Sequence, residues 1–185
     1  KGPLTTLYIS PLKSLVYDIK RNLEEPLKNI KLNINIEART GDTASYKKKK
    51  QIEEPPNFLI TTPESFALLM SYQSCENYFS AIKYIIIDEL HHIMHTKRGD
   101  LLLLNLARLS TFCPDASKIA LSATINNKKH ALDYFSNSKN SICISPYIKK
   151  KISISILNTK SSIPWSGHMP GYAIKEIYTT IKLYK

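Results

Sequence analysis

The stretch YIIIDELHHIMH, from Tyr84 to His95, ends an apolar run on two adjacent carboxylates and then places three histidines within five positions. Side by side, Asp88 and Glu89 repel each other, and each costs desolvation energy at the end of a buried strand, so a positive partner is expected there. A magnesium ion carrying phosphates suits the pair: Asp88 would hold the ion through water and Glu89 would polarise an attacking water. In isolation an Asp-Glu pair reads rather as a polar strand end whose acids cap the next turn, so the surrounding motifs carry the case. His91 and His95, at i and i+4, could form a zinc pair on one helix face. The metalloprotease pattern, however, puts its glutamate directly after the first histidine, whereas Glu89 precedes His91 by two positions. No cysteine or acid stands at a spacing that obviously completes a structural zinc site, and His92 and His95 read as surface residues.

The elements that must position these groups alternate in type along the chain. LTTLYIS (4–10) reads as a buried strand, with Ser10 and Pro11 as N-cap and first helical residue of a helix that should stop near Pro26. LNINIEA (32–38) alternates like a strand and ends in RTGDT, where Gly41 marks a turn. The lysine run Lys47 to Lys50 reads as a solvated loop. NFLITT is a further strand, and Thr62 with Pro63 repeats the cap-and-proline start ahead of PESFALLM. IKYIIID is the next strand, followed by a helix over 100–112, a strand over 117–124, a helix at KKHALDYFS and late strands at SICIS and KISISIL. Ile-rich strands alternating with helices give an α/β domain with a mostly parallel sheet. In such a sheet ligands bind beyond the carboxyl ends of the strands. Ser10 and Lys13, Arg39 to Thr43, Thr61 to Glu64, Asp88 to His91, and Ser122 to Thr124 should therefore meet on one rim.

With 185 residues, 43% of them hydrophobic, the chain can bury a sizeable core. No apolar run approaches the length of a membrane span, and the N-terminus lacks the progression of a signal peptide. Cys75, Cys113 and Cys143 have no CxxC spacing, so a reduced, cytoplasmic compartment is the default reading. A formal charge of +11, clustered at Lys47 to Lys50 and Lys149 to Lys151, invites a polyanion, yet lysine runs also simply decorate solvated surface.

Motif order resolves the ambiguity. TPESF, then IIIDELH, then LSAT one helix and one strand later resembles the first motor domain of superfamily two helicases of the DExH type. SPLKSL is similar to motif Ia, TPESF to motif Ib, DELH to motif II and SAT to motif III. RTGDT, KRGD, ARL and IPWSGH narrow the resemblance to the Lhr (large helicase-related) type, most like the bacterial ligase-associated DEXH box helicases, over nearly the whole chain. The resemblance implies a RecA-like domain of the P-loop NTPase fold, with ATP and magnesium as cofactors. It implies that Asp88 coordinates magnesium through water, that Glu89 acts on the hydrolytic water, and that His91 links this site to motif III. Ser122, Ala123 and Thr124 would couple hydrolysis to movement. Pro11, Lys13, Arg39, Gly41, Asp42, Thr62, Pro63, Glu64, Arg98 and Gly99 would follow one strand of nucleic acid, single-stranded DNA first, through its backbone. Helix N-termini at Pro11 and Pro63 would present free N–H groups to phosphates, with Lys13 one turn in.

No stretch matches G-x-x-x-x-G-K-[ST], the loop that wraps the phosphates. The expectation is an internal fragment: a partial RecA-like domain over 4–157 without its first strand and phosphate loop, then a connector and helix over 158–185 leading to a second motor domain. The missing parts would act in cis or in trans, and no membrane is involved. On its own such a fragment should bind nucleic acid without hydrolysing ATP. The alternatives are a stand-alone nucleic-acid-binding module, a decayed helicase remnant, or a metal-dependent hydrolase built on Asp88, Glu89 and the histidines.

Overall fold

The computed structural model describes residues 2–125, 127–135, 141–145, 154–158, 165 and 171–183. Its first compact unit, Lys1–Cys143, is built on five strands: β1 (Thr6–Ile9), β2 (Ile36–Arg39), β3 (Phe58–Thr61), β4 (Tyr84–Ile87) and β5 (Ser117–Ala120). Between them run α1 (Lys13–Asn29), α2 (Ser45–Glu53), α3 (Pro63–Met70), α4 (Cys75–Phe79), the single turn α5 (Leu90–Ile93) and α6 (Lys97–Phe112), with α7 (Lys128–Phe135) after β5. The second unit, Ile144–Lys185, contains α8 (Ile174–Leu183) behind a short 3-10 turn at Gly171–Ala173. None of the described helices is long and apolar enough to cross a membrane.

The sheet has the order β2-β3-β1-β4-β5 and every pair is parallel. Its register aligns Arg39 with Thr61, Thr61 with Ile9, Ile9 with Ile87 and Ile87 with Ala120, so the chain leaves all five strands along one edge. The period of two in each strand divides its side chains between two cores. Leu7, Ile9, Leu59, Ile85 and Ile87 pack with Phe66, Leu69, Phe79, Leu102, Leu106 and Leu109 of α3, α4 and α6. On the opposite face Ile36, Ala38 and Ile60 lie with Val16 of α1, flanked by Tyr8 and Phe58. Burial of side chains such as Phe66 and Leu7, each 0% exposed, contributes about 1.5–3 kcal/mol apiece. β5 is less covered than the reading of strands apolar on both faces predicts: Ser117 and Lys118 are exposed and Ile119 is 41% exposed.

Several boundaries differ from expectation for local reasons. The Ser10 N–H continues the sheet ladder to Thr61 O at 2.9 Å and its hydroxyl is buried without a partner, so Ser10 is no cap. α1 begins at Lys13 behind an extended Leu12, leaving Pro11 outside the helix and Lys13 as its first residue. α1 also runs through Pro26 to Asn29, because a proline near the helix end forfeits one N–H bond while its own carbonyl still accepts from Ile30 at 3.1 Å. The lysine run is not a loop but the body of α2, anchored by buried Gln51 and supported by the Lys49–Glu53 pair at i,i+4. β2 spans only Ile36–Arg39, leaving Leu32 and Ile34 half-exposed, and β5 stops at Ala120. SICIS forms no strand, nor do 154–158; the rest of KISISIL, the cluster Lys149 to Lys151, and IPWSGH apart from Trp165 lie outside the described residues.

Candidate functional site

β4 delivers the two carboxylates to the common edge. The Asp88 N–H still belongs to the sheet, donating to Ile9 O at 2.9 Å, while its carboxylate accepts the Glu89 N–H at 2.9 Å. Glu89 is left-handed, with φ 48°, a conformation that a residue other than glycine adopts at some cost and that turns the chain from strand to helix within one residue. The result is two carboxylates on one rim, one at the last rung of the ladder with β1 and one at the start of the next turn. A third residue touches them. Tyr8, aligned with Ile86 and so on the same face as Asp88, hydrogen-bonds the Asp88 carboxylate; burial first, then that bond and the charges of Asp88 and Glu89, raise its pKa well above the tyrosine range. Sequence reasoning missed Tyr8, because only the pairing of β1 with β4 brings it there.

Beyond Glu89 the β4–β5 ladder continues, Leu121 N–H to Ile87 O at 2.8 Å and Leu90 N–H to Leu121 O at 2.9 Å. This registers α5 against the SAT segment, and His91 Nδ1 comes within 2.9 Å of Ser122 Oγ and 3.3 Å of Glu89 Oε2. Ser122 Oγ is also 3.1 Å from Thr124 O, to which it can donate; Ala123 and Thr124 are exposed. His91 and His95 do not form the i,i+4 pair that helical spacing allows. α5 ends at Ile93, and His95, at φ 59°, stacks instead on His130 with ring centroids 4.8 Å apart.

The remaining rim is held by its own charges. Lys13 Nζ binds both Asp42 carboxylate oxygens at 2.8 and 3.0 Å, and Lys48 Nζ binds Gly41 O at 2.8 Å. Arg98, in the first turn of α6, spans two motifs, donating to Glu64 and, at 2.8 Å, to Pro11 O. Burial alone would raise the Glu64 pKa, but the Arg98 hydrogen bond and charge outweigh it and the net shift is downward. Thr62 is the N-cap of α3, its hydroxyl accepting from Ser65 N–H at 3.4 Å with Pro63 behind it, as the local sequence requires.

Five of the residues read from sequence as following nucleic acid are buried: Pro11, Arg39, Thr62, Pro63 and Gly99. Arg39 is 3% exposed; its guanidinium donates to Lys48 O at 2.9 Å, Gln51 Oε1 at 3.4 Å and the Tyr72 hydroxyl at 3.3 Å, fastening β2 to α2 and to the turn after α3. Gly99 is a packing glycine: its N–H donates to Thr96 Oγ1 at 3.1 Å, and a Cβ there would collide with the Ile93 carbonyl oxygen and the Tyr134 hydroxyl.

A five-stranded parallel sheet with its polar groups gathered at the carboxyl ends defines a RecA-like α/β domain of the kind helicases use. The chain belongs to the DEAD/DEAH box helicase family, whose model matches residues 1–132. Among its relatives, the ATP-dependent helicase Lhr-Core protein 2 of Thermococcus barophilus is 43% identical over 130 residues, covering 65% of this chain and 15% of that protein. The Lhr helicase/uracil glycosylase of Escherichia coli is 35% identical over 151 residues, 76% of this chain and 10% of its own length. The structure of Mycobacterium smegmatis helicase Lhr bound to ssDNA and AMP-PNP superposes with a TM-score of 0.68 at 35% identity, covering 73% of this chain and 19% of that one. The DEAD-box helicase Mss116, at 16% identity and a TM-score of 0.65, shares the fold. The chain thus spans under a fifth of the length of the Lhr relatives named here.

Proposed function

We propose that these residues form the part of an Lhr-type helicase motor that holds magnesium, activates water and grips one strand of DNA, with residues 4–157 as a partial first motor domain and 158–185 as the connector out of it. The observation that carries the reading is the 2.9 Å bond between His91 and Ser122, which joins the DELH and SAT motifs on the rim where Asp88 and Glu89 emerge. The donor set fits the metal: Asp88 offers carboxylate oxygen, the hard ligand that magnesium prefers, at the edge where the β4 ladder with β1 ends. When bound, magnesium with ATP would supply charge neutralisation at the transferred phosphoryl group.

The chain's own residues then divide the work. Tyr8 and the Glu89 N–H orient the Asp88 carboxylate. Glu89 takes up a proton from water at its carboxylate, and His91, 3.3 Å from that carboxylate and bonded to Ser122, stands between the two motifs. Lys13, paired only at the surface with Asp42, can exchange that partner for a phosphate. That the Mycobacterium smegmatis relative was captured with ssDNA and AMP-PNP supports both ligands. The phosphate-wrapping loop is not among these 185 residues, and we place it, with the second motor domain, on further chain in cis or on another polypeptide in trans.

The test is Glu89→Gln in the intact helicase that carries these residues. ATP turnover should fall by about two or three orders of magnitude while nucleotide binding stays largely intact, since the group acting on water is lost and the metal ligand is kept. Turnover within a few-fold of wild type rejects the assignment and leaves a nucleic-acid-binding module.

A further inference from the structure

Glu89, His91 and His92 each offer a ligand atom, and these atoms lie within 4.8 Å of one another. We propose that the three form a binding site for a zinc-class divalent ion, distinct in its ligands from the magnesium position on Asp88. His92 stands outside the DELH motif, and the hydrolytic reading gives it no task.

The local backbone builds the cluster. Across the left-handed turn at Glu89 the His92 N–H donates to Glu89 O at 2.8 Å, which fixes the two residues' separation. The His91 and His92 rings lie 4.1 Å apart between centroids, tilted by 37°, so both imidazoles occupy one small volume. A four-coordinate zinc with bonds of about 2.1 Å needs ligand atoms about 3.4 Å apart, which side-chain rotation supplies from the present spacing. Glu89 Oε2 supplies the electrostatic reason. It is buried without a hydrogen-bond donor, although His91 Nδ1 is only 3.3 Å away, because that nitrogen is engaged with Ser122 at 2.9 Å. A buried anionic oxygen beside imidazole nitrogens is a site that a cation completes. Two imidazoles and one carboxylate select a borderline ion of the zinc and cobalt class over magnesium, which favours oxygen.

An ion here takes Glu89, the group that would act on water. If the hydrolytic reading above holds, it is therefore an inhibitor of the motor; binding itself does not rest on that reading.

The probe is Co2+, titrated into the 185-residue chain and followed by its visible d–d absorption, with displacement by Zn2+. The expected result is saturation at one ion per chain without a sulfur-to-cobalt charge-transfer band. His91→Ala and His92→Ala, each with an unchanged circular dichroism spectrum, should weaken binding by about tenfold or more. His95→Ala combined with His130→Ala should leave binding intact. Absence of a d–d signal, a thiolate band, or binding that survives His92→Ala overturns the site, as does its loss in the His95/His130 variant. ATP turnover enters none of these readouts, so Glu89→Gln in the intact helicase can fail without touching them.

Discussion

His91 Nδ1 lies 2.9 Å from Ser122 Oγ, a hydrogen bond between residues 31 positions apart that ties the turn after β4 to the segment after β5. It exists because the ladder between the two strands runs past their ends through Leu121 and Leu90. A single bond of this kind is a two-sided coupling: losing either partner loses all of it. In the intact helicase His91→Ala, Ser122→Ala and the double variant should therefore reduce nucleic-acid-stimulated ATP turnover by similar factors. The coupling energy from the cycle should be on the order of 1 kcal/mol. Additive losses would mean that the two side chains act separately.

Gly99→Ala should destabilise the chain by about 1–3 kcal/mol, through overpacking rather than lost contact with nucleic acid. The added Cβ meets the Ile93 carbonyl oxygen, a backbone atom that cannot rotate away, as well as the Tyr134 hydroxyl. Urea unfolding measures this, and Tyr134→Ala in the same background should fail to restore the midpoint. Full rescue by Tyr134→Ala would show that the backbone is not the obstacle.

Acid should weaken the fold partly through Glu37 and Glu64. For Glu37 burial alone would raise the pKa, but Lys20 and Lys47, at 3.4 and 3.2 Å, outweigh it; for Glu64 the Arg98 guanidinium does the same. A carboxylate whose folded pKa is depressed contributes stability that is complete above the unfolded value, near pH 4.3, and is lost as pH falls through the lower folded value. Unfolding free energies at pH 7 and at acid pH should accordingly lie closer together in Glu37→Gln than in wild type. An unchanged gap would mean that the two lysines do not hold the charge.

What the residues disclosed in advance was local or ordinal. Thr62 and Pro63 were readable as a helix start because a cap and a first-turn proline are decided within four positions. The rim was readable because parallel strands must all end on one edge. Arg39 was misread because nothing in RTGDT reveals that Gln51 and Tyr72 will surround its guanidinium; that burial is made by the folding of α2 and α3 over β2. The helix at Lys47 to Lys50 escaped notice because a segment polar all round carries no apolar period, although lysine is itself a good helix former. Tyr8 was invisible for the converse reason, since its apolar neighbours made it look like one more core residue.

The burial of Arg39 also reassigns the test of nucleic-acid binding. Lys13 is an exposed rim cation, with 54% of its side chain accessible, and its partner Asp42 is 67% accessible, so their pair sits in water and is worth little. Lys47 is engaged with Glu37, Lys48 with Gly41 O and Lys49 with Glu53, all on the flank of α2. Single-stranded DNA should thus respond to the rim first. Lys13→Ala should weaken binding at fixed salt more than Lys49→Ala combined with Lys50→Ala, although it removes one charge instead of two. Asp42→Asn should strengthen binding by freeing Lys13. The slope of log affinity against log salt should become shallower by about 0.7 in Lys13→Ala, the value for one lost contact on a single strand. Fluorescence anisotropy with a labelled oligonucleotide reads all three variants. If the α2 lysines matter more than Lys13, or if Asp42→Asn weakens binding, the basic flank rather than the carboxyl edge of the sheet is what holds the strand.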